Sequence, residues 1–137
     1  MTGWRTAVAV RWSDMDVYGH VNNARVVTLL EETRTGLLFD EAGRQGAASL
    51  AEGMVVVSLS VRYRRPLVYS TSAVPARVWV SELRAASFAL DYELLDAEGA
   101  VAVTARTVLA PYSPAERRPR RLSAAERDFL ADWRDGG

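Results

Sequence analysis

The stretch NARVVTLLEETRTGLLFDE, Asn23–Glu41, decides the fold, because its apolar residues recur at helical rather than strand spacing. Val26, Val27, Leu30, Thr33, Leu37 and Leu38 fall on one stripe, while Arg25, Glu31, Glu32 and Thr35 lie elsewhere. Asn22 or Asn23 can cap its start, and Gly43 suits its exit. Most of the chain around it alternates with a period of two. Upstream, TAVAVRW (Thr6–Trp12) puts Thr6, Val8, Val10 and Trp12 on one face. Downstream, QGAASLAEG (Gln45–Gly53) reads as a loop or helical turn, and four strands follow. In MVVVSLSVRYRR, Val55, Val57, Leu59, Val61 and Tyr63 face one way; Ser58, Ser60, Arg62 and Arg64 face the other. AVPARVWVSEL (Ala73–Leu83) carries Pro75 near its start, where a strand tolerates it. SFALDYELL (Ser87–Leu95) turns at DAEG (Asp96–Gly99) into AVAVTARTVLAPY (Ala100–Tyr112). One helix among five strands leaves too few crossovers for βαβ units. An α+β arrangement follows, with an antiparallel sheet carrying the helix on one face. A single domain, 1–137, is expected, with its core at about 5–112 and a proline-marked tail at 113–137. The tail ends in a helix with a capping-box pattern, Ser123 and Glu126.

A chain of 137 residues can bury a real core. Seventeen basic residues, all arginine, balance seventeen acids, so no global field recruits nucleic acid or an anionic membrane. The absence of cysteine excludes thiol catalysis, disulfides and cysteine metal sites. No apolar run suits a signal peptide or a bilayer span, and the expected location is the cytoplasm.

The densest polar stretch precedes the helix. RWSDMDVYGHVNNAR (Arg11–Arg25) holds two aspartates, the chain's one histidine, a glycine and two asparagines. DMDVYGHVNNAR nearly writes a calcium loop, with Asp14, Asp16 and Gly19 at its first, third and sixth positions. Tyr18 at the fifth and Arg25 at the twelfth break it, and zinc or iron would need more ligands than one histidine and its neighbours supply. No metal site is expected. Two readings remain. In one, the aspartates are turn residues and the asparagines are caps. In the other, a carboxylate lies just ahead of a helix start whose unpaired N–H groups and dipole can hold a developing oxyanion. That carboxylate could attack a carbonyl or activate water, and Gly19 would allow backbone and substrate to approach closely.

The pattern RWSDMD-xx-GHVNN followed by a helix bearing LLEETR resembles the 4-hydroxybenzoyl-CoA thioesterase family of hotdog-fold acyl-CoA thioesterases. VRYRRPL, SFALDYELLDAEG and AVTARTVLAPY are similar to that family's later strands, so the resemblance runs from about Arg5 to Tyr112. It implies a long central helix wrapped by a five-stranded antiparallel sheet, and hydrolysis of an acyl-CoA to a free acid and coenzyme A. Asp16 matches the catalytic carboxylate, as nucleophile or general base, and Asp14 an acid that supports the loop. Gly19 and the amides from His20 through Val21 and Asn22 to Asn23 match the helix start that polarises the thioester carbonyl, with Tyr18 beside the substrate. His20 either bonds that carbonyl or fixes the loop; Asn23 either orients water or caps the helix. Where some members carry a histidine seven residues after the acid, Asn23 stands here. The family often has Gly-Asp after the second strand's proline, where this chain reads PLVYSTS (Pro66–Ser72). Glu31 and Glu32, at the helical place where a second hotdog lineage keeps its glutamate, read as structural beside Asp16. Arg62, Arg64 and Arg65, and the tail arginines Arg117, Arg118, Arg120 and Arg121, are candidates for the coenzyme A phosphates. No cofactor is expected, coenzyme A being part of the substrate. A non-catalytic acyl-CoA binding protein is the rival reading. Apolar residues on the sheet's second face, read as Met54, Val56, Trp79 and Val108, imply a homodimer or homotetramer.

Overall fold

The computed structural model describes residues 3–69 and 72–134. Five strands, β1 (Trp4–Val8), β2 (Met54–Tyr63), β3 (Val74–Leu83), β4 (Phe88–Leu95) and β5 (Val101–Ser113), form an antiparallel sheet in the order β1-β3-β4-β5-β2. A two-residue strand, β6 (Arg118–Pro119), pairs with the end of β5. Alternation sets the inner face: Val74, Ala76, Val78 and Val80 on β3 and Phe88, Leu90, Tyr92 and Leu94 on β4 are all buried. The β4–β5 turn closes on Asp96, whose Oδ1 accepts the N–H groups of Glu98 at 3.0 Å and Ala100 at 2.9 Å.

The helix lies against this inner face. α1 (Asn23–Thr35) continues through a π turn, Gly36–Glu41, into α2 (Ala42–Arg44). Val26, Leu29, Leu30, Thr33, Leu37 and Leu38 are buried, with Leu29 taking the place expected of the half-buried Val27. The result is a long helix in a curled antiparallel sheet, the hotdog arrangement that the resemblance implies. Within the described residues no helix is long and apolar enough to cross a membrane.

Several boundaries differ from the sequence reading, each for a local reason. β1 ends at Val8 and Trp12 is 76% exposed. Asp14 Oδ2 takes the Arg11 N–H at 2.8 Å, and residues Trp12–Asp14 coil into a 3₁₀ turn. The helix cap is Asn22, whose Oδ1 accepts the Ala24 N–H at 2.9 Å, leaving Asn23 as the first helical residue. The helix passes Gly43 and exits by Gly46, where φ is +83°. At the π turn, a Cβ on Gly36 would stand 2.9 Å from Trp4 Nε1, so only glycine lets that indole lie on the helix. On β2 a bulge at Val57 shifts the register. Val56 pairs with Leu109 before it, and Leu59, Val61 and Tyr63 pair with Thr107, Ala105 and Val103 after it. Met54 and Val56 therefore join the inner face rather than the outer one.

The tail is built into the fold. α3 (Ala124–Asp132) starts at Ser123 with the expected capping box, and Phe129 and Leu130 are buried. Its Glu126 is fully buried. Arg120 grips both Glu126 oxygens, at 2.8 and 2.7 Å, and the Ser49 hydroxyl adds a bond of 2.7 Å from the 3₁₀ turn Ala48–Ala51. Arg120 is thus committed to an internal ion pair, which corrects its reading as a free phosphate ligand. Burial pushes the Glu126 carboxyl up, but Arg120, the Ser123 N–H and Ser49 outweigh it and hold the group at about 2.

A carboxyl depressed in the folded state stabilises fully above the ordinary carboxylate range, and that stability fades as pH falls toward about 2. Glu126→Gln is expected to flatten the acid limb of a plot of Tm against pH. Arg120→Met, which strands a buried charge, is expected to cost about 3–5 kcal/mol at neutral pH in urea unfolding, and more than the double variant. Single and double variants of equal stability would show that the pair does not clasp the tail.

Candidate active site

The site grows from the loop between β1 and α1. Two aspartates two residues apart take opposite tasks there. Asp14 is buried and turned onto Arg11, accepting its backbone N–H at 2.8 Å and its guanidinium at 3.0 Å, and its own carbonyl takes the Asn22 N–H at 2.8 Å. The Arg11 side chain and then its backbone N–H hold the Asp14 carboxyl below the usual carboxylate range. Asp16 is half-buried. Its Oδ1 accepts the N–H groups of Tyr18 at 2.8 Å and His20 at 3.2 Å, and no donor meets Oδ2 among the described residues. Gly19, at φ +79°, lets the chain double back so that Asp16 N–H meets the His20 carbonyl at 2.8 Å.

The loop is then tied to the segment after β2. Val21 N–H donates to the Leu67 carbonyl at 2.6 Å, and His20 bridges to Val68. The outcome is a cleft of about 410 Å³ that brings Asp16, His20, Val21 and Asn23 together with Val26, Tyr63, Arg64, Arg65, Pro66, Leu67 and Val103. Among the described residues, every backbone N–H from Tyr18 to Val26 has a protein acceptor except that of Asn23. The cleft therefore combines one fixed carboxylate with an open oxygen, one undonated amide at a helix start, an imidazole and two guanidinium groups. That set can hold a carbonyl oxygen and deliver a carboxylate or water to its carbon.

Other expected residues lie elsewhere. Tyr18 is 79% exposed and outside the cleft lining, and Asn22 is spent on the cap. Arg62 lines a separate hollow with Ser60, Asp91, Thr104 and Arg106. Glu31 and Glu32 are exposed on the helix, and Glu31 lies 3.6 Å from Arg34. Arg118 pairs with Glu116 at 2.9 Å. In the turn PLVYSTS, Ser70 and Thr71 fall outside the described residues. Tyr63, read from the sequence only as an inward strand residue, lines the cleft and donates its hydroxyl to the Asn23 carbonyl at 2.7 Å. Only its place at the end of an alternating strand beside the arginines signalled it.

Comparison with known proteins places these features in context. The family described as the thioesterase-like superfamily matches residues 10–133. The long-chain acyl-CoA thioesterase FadM of Escherichia coli strain K12 is 41% identical over 66 residues, which are 48% of this chain and 50% of that protein. The match thus spans about half the length of each. Among solved structures, a thioesterase from Thermus thermophilus, complexed with coenzyme A and zinc, is 28% identical and superposes with a TM-score of 0.76 over 92% of this chain and 90% of its own. A predicted thioesterase from Bacillus stearothermophilus, at 21% identity, shares the fold with a TM-score of 0.80 over 96% of both chains.

The two aspartates are expected to separate in stability measurements. Asp14→Ala frees the Arg11 amide and loosens the loop, at a cost of about 1–3 kcal/mol. Part of the Asp14 contribution is also lost as pH falls through the acid range, since its folded carboxyl is depressed. Asp16→Ala removes only bonds to a turn near solvent and is expected to cost under about 1 kcal/mol. Urea unfolding of both variants checks this, and equal losses would contradict it.

Proposed function

The chain belongs to the thioesterase-like superfamily, and we propose that it hydrolyses an acyl thioester of coenzyme A to the free acid and coenzyme A. One observation carries the reading: Asp16, with one carboxylate oxygen free of protein donors, and Asn23, with an amide free of protein acceptors among the described residues, line one cleft. The amide, at the positive end of a long helix, stabilises the thioester oxygen as it gains charge. Asp16 acts at the carbonyl carbon by one of two routes. As nucleophile it forms a mixed anhydride, expels the thiolate and is freed by water. As general base it takes a proton from water, which attacks while the C–S bond breaks and the sulfur leaves as thiol. In a single turnover in ¹⁸O-labelled water, label in the Asp16 carboxylate establishes the first route, because it enters there only when water attacks the Asp16 carbonyl of the anhydride and releases the acyl group as the free acid.

The substrate class draws support from the named activity of the FadM relative and from the coenzyme A bound in the Thermus structure. In this chain Arg64 and Arg65 stand at the cleft, where guanidinium groups suit the phosphates of the nucleotide end. Arg65 is held only loosely, 4.0 Å from Asp96. The working unit in this reading is a homodimer, or a tetramer of two. β2 is a ten-residue edge strand. It bares Val55, Val56, Val57 and Leu59 at 40–61% exposure, a surface that pairing with a second copy would cover.

Thiol release from an acyl-CoA panel is the direct test. Asp16→Ala is expected to lower kcat by about 10³-fold or more on the best substrate. A wild-type chain that binds acyl-CoA and releases no thiol would favour the non-catalytic reading. Arg64→Ala with Arg65→Ala is expected to raise KM more than it lowers kcat, and added salt to act in the same direction. Light scattering on a sizing column is expected to give at least twice the 15.1 kDa chain mass; a fully active monomer would remove the paired edge.

A further inference from the structure

Resting on the hydrolase reading, we propose that Tyr63 is a positioning residue that sets the Asn23 amide for the reaction. The argument starts with the peptide groups around Asn23. Its N–H is the one amide between Tyr18 and Val26 without a protein acceptor among the described residues. An amide left free keeps its direction only if the atoms on either side of it are held. On one side, Asn22 is fixed by its N–H bond to the Asp14 carbonyl at 2.8 Å, and its carbonyl, in the same peptide as the Asn23 N–H, accepts the Arg25 and Val26 N–H groups at 2.9 and 3.1 Å. On the other, the Ala24 N–H is bound by Asn22 Oδ1 at 2.9 Å, and the Asn23 carbonyl receives the Tyr63 hydroxyl at 2.7 Å.

The Tyr63 bond differs in kind from the others. Those lie within the loop and the first helical turn, whereas the phenol reaches across forty residues of sequence from the end of β2. It is a side-chain cross-link from the first helical residue to the sheet edge carrying Arg64 and Arg65, added to the Val21–Leu67 and His20–Val68 backbone ties just before the helix. The ring itself lines the cleft, and β2 is anchored at that point by pairing of Tyr63 with the buried Val103. Loss of the hydroxyl would leave strand and helix folded but free the first helical peptide to tilt. A misaligned donor is felt chiefly where negative charge develops, in the transition state, and little in ground-state binding.

The experiment is Tyr63→Phe in the full chain, with three readouts. The kcat for the best acyl-CoA is expected to fall by about tenfold, less than outright loss of an oxyanion donor costs. The Kd of a non-hydrolysable thioether analogue of that acyl-CoA is expected to stay within about twofold. The Asn23 amide is expected to shift in the ¹H–¹⁵N spectrum, while amides of β3 and β4 do not. An unchanged kcat with an unmoved Asn23 amide would overturn the proposal, as would equal losses in kcat and analogue affinity. The Asn23 amide readout needs no turnover. A wild-type chain inactive on every thioester would therefore sink the hydrolase reading, while the spectrum would still decide whether Tyr63 positions the helix start.

Discussion

One helix face pressed on one sheet face constrains everything else in this molecule. Leu29, Leu30, Leu37 and Leu38 meet an inner face built from Val78, Val80, Leu90, Leu94, Val103 and Leu109, all of them buried. Truncating any one leucine to alanine there would cost about 2–5 kcal/mol, a large share of a domain's net stability. Because that contact fixes the helix along its whole length, its N-terminus cannot choose its neighbours. It stands at the Tyr63 end of β2, with the opposite end of the helix beside Met54 and Val56. Packing therefore puts a helix start next to a sheet edge, and the loop before the helix only has to bring a carboxylate to the same cleft.

That loop shows how little sequence separates an acid bonded on both oxygens from one with an oxygen left open. Asp14 and Asp16 are the same residue type two positions apart. Asp14 gives its carboxylate to Arg11 and its carbonyl to Asn22, so its charge is spent on shape. Asp16 spends one oxygen on the turn that orients it and meets no donor with the other among the described residues, and the residue lines the cleft. The same division holds for the asparagines: Asn22 gives its side chain to the cap, and the backbone of Asn23 is left with an amide to offer.

What the sequence disclosed follows from what period and spacing can encode. Alternation of residue type marked β2 through β5 within a residue or two, although buried and less buried positions alternate only on β3 and β4 and β2 lies at the exposed edge. The helical stripe marked α1 in the same way. The cluster from Asp14 to Asn23 was visible because so many chemistry-bearing groups rarely fall so close together. Features that depend on a partner distant in sequence left no such mark. The π turn at Gly36 needs the ring of Trp4, and the bulge at Val57 is seen only against β5. Arg120 looked like one more tail arginine until folding buried Glu126 beneath it, six residues on and bonded to Ser49. Tyr63 looked like a strand residue because its partner, the Asn23 carbonyl, belongs to the backbone, which no side-chain pattern records.

These distant ties bear on how the cleft can be poised. A carboxylate oxygen and an amide left without protein partners would normally draw in neighbours or drift toward them, and each unmet group costs stability. Here the groups around them are already committed: Asp14 to Arg11, Asn22 to Ala24, Val21 to Leu67, His20 N–H to Asp16, and Tyr63 to Asn23. None of these committed groups competes for Asp16 Oδ2 or for the Asn23 N–H. The two open valences are kept apart from the rest by saturation of what stands beside them. Such an arrangement meets an incoming polar group without first breaking an internal bond, which is the physical content of preorganisation.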